Sequence, residues 1–197
     1  MNKIDYDKEM NKILSEGRVS VLMHCCCGPC STAVVERIKD DCDLTLFYYN
    51  PCIEGEDEYE ERWRNLLTVA SHFSVPVIKS AVYDNDRYVS EIKGLEGEKE
   101  GGARCVKCFY LRLYETAKTA KEKGFEYFAT TLTVSPHKNA ELINGIGERI
   151  ASEVGVKWLQ ADFKKRNGYL RSTELSKELG LYRQNYCGCS YGRQGEN

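Results

Sequence analysis

No stretch of this 197-residue chain approaches the ~20 consecutive apolar residues that cross a bilayer. Its opening, MNKIDYDKEMNKILSEG, is a polar amphipathic helix without the apolar run of a secretory signal. These absences predict a cytoplasmic protein with no membrane partner. Only four prolines occur, and there is no low-complexity tract or internal repeat, which excludes a proline-rich linker and a solenoid. Cysteine is the exception to this restraint. Ten cysteines are about 5% of the chain, below the roughly 8–10% of a disulfide scaffold yet far beyond packing needs. A chain of this length buries roughly 70% of its unfolded surface and does not need disulfide staples. In a reducing compartment, clustered thiols point to metal ligation or redox chemistry.

The net charge of −2 conceals an asymmetry. Residues 1–100 carry 12 Lys/Arg against 20 Asp/Glu, whereas residues 101–197 carry 16 against 10, so only the second half suits a polyanion. Short β-rich runs at Val19–Met23, Leu44–Tyr49, Val75–Ala81, Phe125–Thr131 and Val156–Leu159 alternate with helical patterns near Ser31–Lys39, Glu58–Phe73, Cys108–Lys123 and Ala140–Glu153. This alternation predicts one α/β domain over residues 1–197, an open, mostly parallel sheet with helices on both faces. A glycine-rich insert, Gly94 to Gly102, leads directly into Cys105.

Open parallel sheets bind ligands beyond the carboxyl ends of their strands. There the sequence places His24-Cys-Cys-Cys-Gly-Pro-Cys30, Asn50-Pro-Cys52, Tyr83-Asp84, Ser135-Pro-His-Lys-Asn139 and Ala161-Asp162-Phe163. Seven thiols fall into three tight groups: Cys26, Cys27 and Cys30; Cys105 and Cys108; Cys187 and Cys189. Pro29 and Ser31 suit a helix start, where free N–H groups and the helix dipole favour thiolates. Gly188 lets its two neighbours turn toward one centre. Cys42 reads as a packed thiol, and Cys25 and Cys52, at strand ends, lean the same way.

One structural zinc takes four ligands from knuckles close in sequence, but the two C-x-x-C pairs here are 74 residues apart. One 4Fe-4S cluster also takes four thiolates and leaves three. A thioredoxin-like dithiol oxidoreductase using Cys27 and Cys30 is an alternative, and Val75-Pro76 imitates that family's proline loop. It leaves the other two groups unused. A zinc-stabilised α/β binding protein is a further alternative. A phosphate loop after the first strand would be rich in glycine and serine, and here cysteines stand in its place.

The motifs His24-x-Cys26-Cys27-x-Pro29-Cys30, Gly101-Gly102-x-Arg104-Cys105-x-x-Cys108 with Arg112-Leu113, Ser135-Pro136-x-Lys138, and Asp162-Phe163-Lys164-Lys165 through Tyr182-Arg183-Gln184-x-Tyr186-Cys187-Gly188-Cys189 run through nearly the whole chain. In this order they resemble the QueH type of epoxyqueuosine reductase. The resemblance implies a fold like the adenine nucleotide alpha hydrolase-like (HUP) layer. It also implies two-electron removal of the epoxide oxygen from epoxyqueuosine at the wobble position of tRNA, giving queuosine. It further implies a 4Fe-4S cluster beside an additional mononuclear iron, held by Cys26, Cys27, Cys30, Cys105, Cys108, Cys187 and Cys189 and fed by an external low-potential electron-donor protein. Cys25, Cys42 and Cys52 lie outside the pattern.

His24 is a candidate proton donor or sulfur hydrogen-bond donor, against the alternative of a packed core histidine. Asp84 and Asp162 are candidates for a hard iron ligand or for proton delivery, against ordinary surface solvation. His137 and Lys138 are candidates for substrate contact. Lys164, Lys165, Arg166, Tyr169, Arg171 and Arg183 interleave charge with aromatics, as an unpaired anticodon loop requires, within a basic segment 160–197 expected to close over the metal site. The acidic run Glu54 to Glu61 is expected to face away from RNA.

Overall fold

In the computed structural model, which describes residues 4–195, five strands form one all-parallel sheet in the order β3-β2-β1-β4-β5. The strands are β1 (Ser20–His24), β2 (Asp43–Tyr48), β3 (Val77–Lys79), β4 (Tyr127–Thr130) and β5 (Lys157–Trp158). The helices are α1 (Tyr6–Glu16), α2 (Gly28–Ile38), α3 (Glu56–Phe73), α4 (Asn85–Glu91), α5 (Ala103–Lys123), α6 (Ala140–Val154) and α7 (Gly168–Glu178). All five expected strands form, each shifted or trimmed at its ends. The four expected connecting helices and the amphipathic N-terminal helix also form.

Side chains of the inner strands alternate between two apolar cores, as the pleat dictates. Val21 and Met23 of β1 join Leu44, Leu46 and Tyr48 of β2 under α1, α2 and α3. Leu22 and Phe47 point the other way, into a core closed by α4, α5 and α6. With both faces covered, β1 is buried along most of its length, which explains its unbroken apolar run.

Two helices, α4 and α7, give little signal in the sequence. The α4 helix is only seven residues long. The α7 helix buries Ser172, Leu175 and Ser176, a polar seam that gives little hydrophobic periodicity. That seam docks on α2, where the Ser172 hydroxyl donates to Pro29 O at 2.5 Å.

The chain leaves β1 for β2 on one side and reaches β4 on the other, so the sheet's switch point lies between the carboxyl ends of β1 and β4. His24 and Thr130 end these two strands and sit in register. The α2 helix starts at the switch point, with Cys27 as its extended N-cap and Pro29 in its first turn. Its first residue, Gly28, lies against the backbone of α3. An added Cβ would come within 2.7 Å of Asn65 O. This glycine is therefore explained by close packing of two helices.

Gly28→Ala is expected to lower the stability of the metal-free protein by about 1–3 kcal/mol. Gly145→Ala, in α6 with open space around the new methyl, should be neutral or gain up to about 1 kcal/mol. Denaturant unfolding under reducing conditions checks both.

Candidate active site

Three sulfurs gather at the start of α2. The Sγ atoms of Cys26, Cys27 and Cys30 all lie within 4.8 Å of one another, a spacing that could hold a metal ion, and Cys26 and Cys27 Sγ are 3.7 Å apart. Contacts with Cys26 and then Cys30 draw the Cys27 thiol well below its ordinary pKa, while contacts with Cys26 and then Cys27 push Cys30 upward. A third thiol in contact with both members separates this group from a simple dithiol. Val75-Pro76 does not complete such a motif either. Pro76 precedes β3 and accepts from Leu46 N, at the edge of the sheet opposite the cysteines.

The second and third cysteine groups meet around a small cavity of about 70 Å³, lined by Cys52, Cys105, Cys108, Cys187 and Cys189 with Tyr88, Arg104 and Arg112. The glycine-rich insert reaches this cavity, and Gly101 N–H donates to Cys105 Sγ at 3.2 Å. The Cys187-Gly188-Cys189 turn is held by Glu54 N–H to Gly188 O, 3.0 Å, and by Arg62 Nη1 to Cys187 O, 3.2 Å. Gly188 has φ +112°, and a Cβ there would sit 3.0 Å from Ile53 and 3.1 Å from Arg62, so only glycine fits. A larger neighbouring cavity of about 280 Å³ is bordered by Cys26, Cys30 and Cys187, by His137 and Lys138, and by Tyr169 and the Arg183–Tyr186 stretch.

Charge is the distinctive property of the walls. Arg62, Arg104 and Arg112 are 2%, 1% and 1% exposed. Arg62 is paired with Glu58, but among the described residues Arg104 and Arg112 have no carboxylate partner. Arg112 gives Nε–H to Cys108 O, and Arg104 binds the Glu96 and Glu98 carbonyls. Buried N–H groups on all three guanidiniums lack acceptors: Arg62 Nη2, Arg104 Nε and Nη2, and Arg112 Nη2. Burial alone would discourage the Arg112 charge, yet neighbouring Cys108, Cys52 and Cys187 carry its pKa the other way. Lys138 adds a fourth cation, with Nζ 3.3 Å from Cys187 Sγ. Unpaired buried cations are costly. Thiolates and an anionic thiolate–metal group are the partners that this arrangement fits.

The expected residues separate into three sets. Six of the seven clustered cysteines, His137, Lys138, Tyr169 and Arg183 line one or both cavities, and Cys27 completes the thiol triad with Cys26 and Cys30. His24, Asp84 and Asp162 do not, and each has another duty. His24 is fully buried and gives Nε2–H to Tyr49 O at 3.2 Å, so its Nδ1 accepts the Thr130 hydroxyl at 2.9 Å. Burial, and then Arg112, draw its pKa down to about 4. It is a neutral brace across three strands. Asp84 stands at the N-cap position of α4 without a side-chain capping hydrogen bond, and its carboxylate lies 3.8 Å from Arg87 Nη1. Asp162 accepts the Lys164 backbone N–H at 3.3 Å and pairs with Lys164 Nζ at 3.2 Å.

Among the basic residues, Lys164 Nζ donates to Thr133 O and Lys138 O, both at 3.0 Å, and so buttresses the Lys138 loop. Arg166 joins Arg37 on Asp7. Arg171 is committed to Glu36, Glu174 and Glu178. Lys165 is exposed. The acidic run also has an internal role, since Glu58 receives both Arg62 and the Tyr182 hydroxyl and thereby holds the C-terminal segment. Cys25 and Cys42 pack as expected, whereas Cys52 lines the smaller cavity. Motif spacing could not reveal Cys52, which stands alone in its segment.

The molecule is thus a doubly wound α/β protein with a thiol-lined, cation-walled site at its topological switch point. Residues 21–195 match the family described as epoxyqueuosine reductase QueH. Over 96% of the chain it is 42% identical to the epoxyqueuosine reductase QueH of Streptococcus pyogenes, covering 78% of that protein. The Staphylococcus epidermidis protein of the same name is 39% identical over 96% of this chain and 84% of its own length. That of Thermotoga maritima is 38% identical over 87% and 89%. The chain belongs to the epoxyqueuosine reductase QueH family, a family of oxidoreductases.

Arg112→Met tests the role of the buried cations. The metal-free variant is expected to unfold at no lower denaturant concentration than wild type, because a methionine stem replaces a poorly partnered charge. Protein loaded with iron should lose it to a chelator about tenfold faster than wild type. Unfolding curves and chelator-release kinetics measure the two effects.

Proposed function

We propose that this protein reduces epoxyqueuosine to queuosine in tRNA at a thiolate-held iron–sulfur site. The observation that carries the reading is the pairing of clustered thiols with buried guanidiniums lacking carboxylates, placed where a doubly wound sheet binds ligands. In the reaction both C–O bonds of the epoxide break, a C=C bond forms, and the oxygen leaves as water after uptake of two electrons and two protons. A 4Fe-4S cluster with an adjacent iron, held by Cys26, Cys27, Cys30, Cys105, Cys108, Cys187 and Cys189, supplies electron transfer and a Lewis acid when bound. The electrons come from an external low-potential donor protein.

The chain's own residues account for the remaining requirements. Cys26, Cys30 and Cys187 border the larger cavity, so a nucleoside entering it meets sulfur-held chemistry at its floor. Lys138 lies on both cavities and holds a proton beside Cys187. The α5 start, the Lys138 loop and the 183–189 segment keep bulk water from the inner thiols. The described part of the C-terminal segment, residues 160–195, closes over the site through α7 and the Arg183–Cys189 stretch, and residues 196–197 of the expected segment lie outside the described residues. Tyr169, 43% exposed, and Arg183, 5.9 Å from its ring, form a stacking edge at the rim, suited to an unpaired anticodon base. His137 stands on the same rim. Lys165 is a phosphate contact, while Arg171 serves the α2–α7 contact.

Anaerobically prepared protein given a low-potential reductant should convert epoxyqueuosine to queuosine in tRNA, read by nucleoside mass spectrometry. Absence of conversion by iron-loaded protein overturns the substrate assignment. Arg183→Ala should raise KM for tRNA about tenfold with a smaller effect on kcat. Arg171→Ala, whose guanidinium is already committed, should leave KM within about twofold of wild type.

A further inference from the structure

One of the three buried arginines keeps a whole hydrogen-bonding edge unused. Arg62 spends Nε on Glu58 and Arg112 spends Nε on Cys108 O, so each leaves one buried nitrogen, Nη2, without an acceptor. Arg104 spends only Nη1, which donates to Glu96 O at 2.9 Å and to Glu98 O at 2.5 Å. Its Nε and Nη2 are both buried and both lack acceptors. These two nitrogens form the side-on fork of a guanidinium, whose parallel N–H groups match an anion offering two acceptor atoms. The chain uses the same edge elsewhere. Arg171 grips Glu36 through Nε at 2.9 Å and Nη2 at 2.7 Å, and Arg64 places Nε and Nη2 on Glu61 at 3.2 and 2.7 Å.

The surroundings decide what the Arg104 fork meets. Arg104 directly precedes Cys105 at the start of α5 and lines the smaller cavity with Cys105, Cys108 and Cys187. Its guanidinium carbon lies 5.3 Å from the Tyr191 ring centroid, so an aromatic ring occupies one side of it. A side chain only 1% exposed is out of reach of an RNA phosphate. Leaving two charged donors unmet in the interior is costly. An anion inside the cavity is the acceptor that remains.

Resting on the iron–sulfur reading, we infer that Arg104 is a positioning residue for the metal group: its Nε–Nη2 fork donates to sulfur of that group while Nη1 holds the glycine-rich insert. Cationic N–H donors on cluster sulfur favour the more negative, reduced state and so raise the reduction potential. The insert is tied to the same place twice. Arg104 holds its Glu96 and Glu98 carbonyls, and Gly101 N–H reaches Cys105 Sγ at 3.2 Å. Filling of the metal site and closure of the insert are therefore linked, each favouring the other.

Wild type, Arg104→Met, Arg104→Lys and the control Arg64→Met, whose side chain is 62% exposed, are loaded anaerobically for EPR-monitored redox titration. Hydrogen exchange of residues 95–102 is followed with and without iron and sulfide. Arg104→Met should lower the midpoint potential by about 59 mV, a tenfold fall in the reduced-to-oxidised ratio at fixed potential. Arg104→Lys keeps the charge without the planar fork and should fall between that variant and wild type. Arg64→Met should match wild type. Loading should slow exchange across residues 95–102 about tenfold in wild type and less than about twofold in Arg104→Met.

A role limited to holding the insert through Nη1 would speed exchange in the metal-free variants and leave the potential at its wild-type value. That result overturns the inference, as does a wild-type insert whose exchange ignores loading. If Arg104→Met does not fold or load, Arg104→Lys decides, and a wild-type potential there overturns the inference. Wild-type protein that takes up neither iron nor sulfide overturns the iron–sulfur reading itself, and the role of Arg104 with it.

Discussion

Three arginines buried with too few acceptors are the constraint on which the site depends. A guanidinium cannot shed its proton at any ordinary pH, so Arg62, Arg104 and Arg112 bring fixed positive charge into a low-dielectric interior. Glu58 offsets Arg62, while Arg104 and Arg112 meet backbone carbonyls and the rings of Tyr191 and Phe109 but, among the described residues, no carboxylate. Removing such charges from water costs several kcal/mol each unless an anion stands opposite. The cysteine groups can supply that anion, and they do so best when a metal fixes them as thiolates. Cation walls and sulfur floor are therefore parts of one arrangement.

The fold places these parts together through the handedness and order of a parallel sheet. All five carboxyl ends point to one edge, and the change of winding direction opens a crevice between β1 and β4. The triad lies at the crevice because α2 must start there, and Gly28 allows α2 to sit directly on α3. His24 ties β1 to β2 and β4 as a neutral imidazole. Its contribution is positional, acting through the backbone that carries the triad.

Much of this arrangement was legible from the chain alone. The apolar runs at residues 19–23, 44–49 and 125–131 read as strands of a parallel sheet, and these strands form, with the sulfur-rich segments at one sheet edge. What escaped notice shared one property: its physics is non-local. Cys52 carries no spacing signal, since its partners are more than fifty residues away. Arg62 carries no spacing signal and Arg112 enters only as part of a motif, yet both face inward. The α7 helix buries Ser172 and Ser176, so its inner face carries little hydrophobic periodicity. Asp84 and Asp162 follow strands, the position that suggested chemistry, and in the fold each carboxylate lies beside a nearby cation, Arg87 and Lys164.

A dithiol oxidoreductase needs only Cys27 and Cys30, and a zinc-stabilised fold needs one closed four-ligand site. Neither accounts for a thiol triad adjoining a second sulfur-lined cavity with fixed cations around it. The account centres on two thiolate-held iron units at one sheet edge. Mössbauer spectroscopy of anaerobically purified protein carrying isotopically enriched iron tests this most directly. Two iron environments are predicted, one from a four-iron cluster and one from a separate thiolate-bound iron. A protein that reduces epoxyqueuosine while holding only zinc, or no metal, would contradict the account.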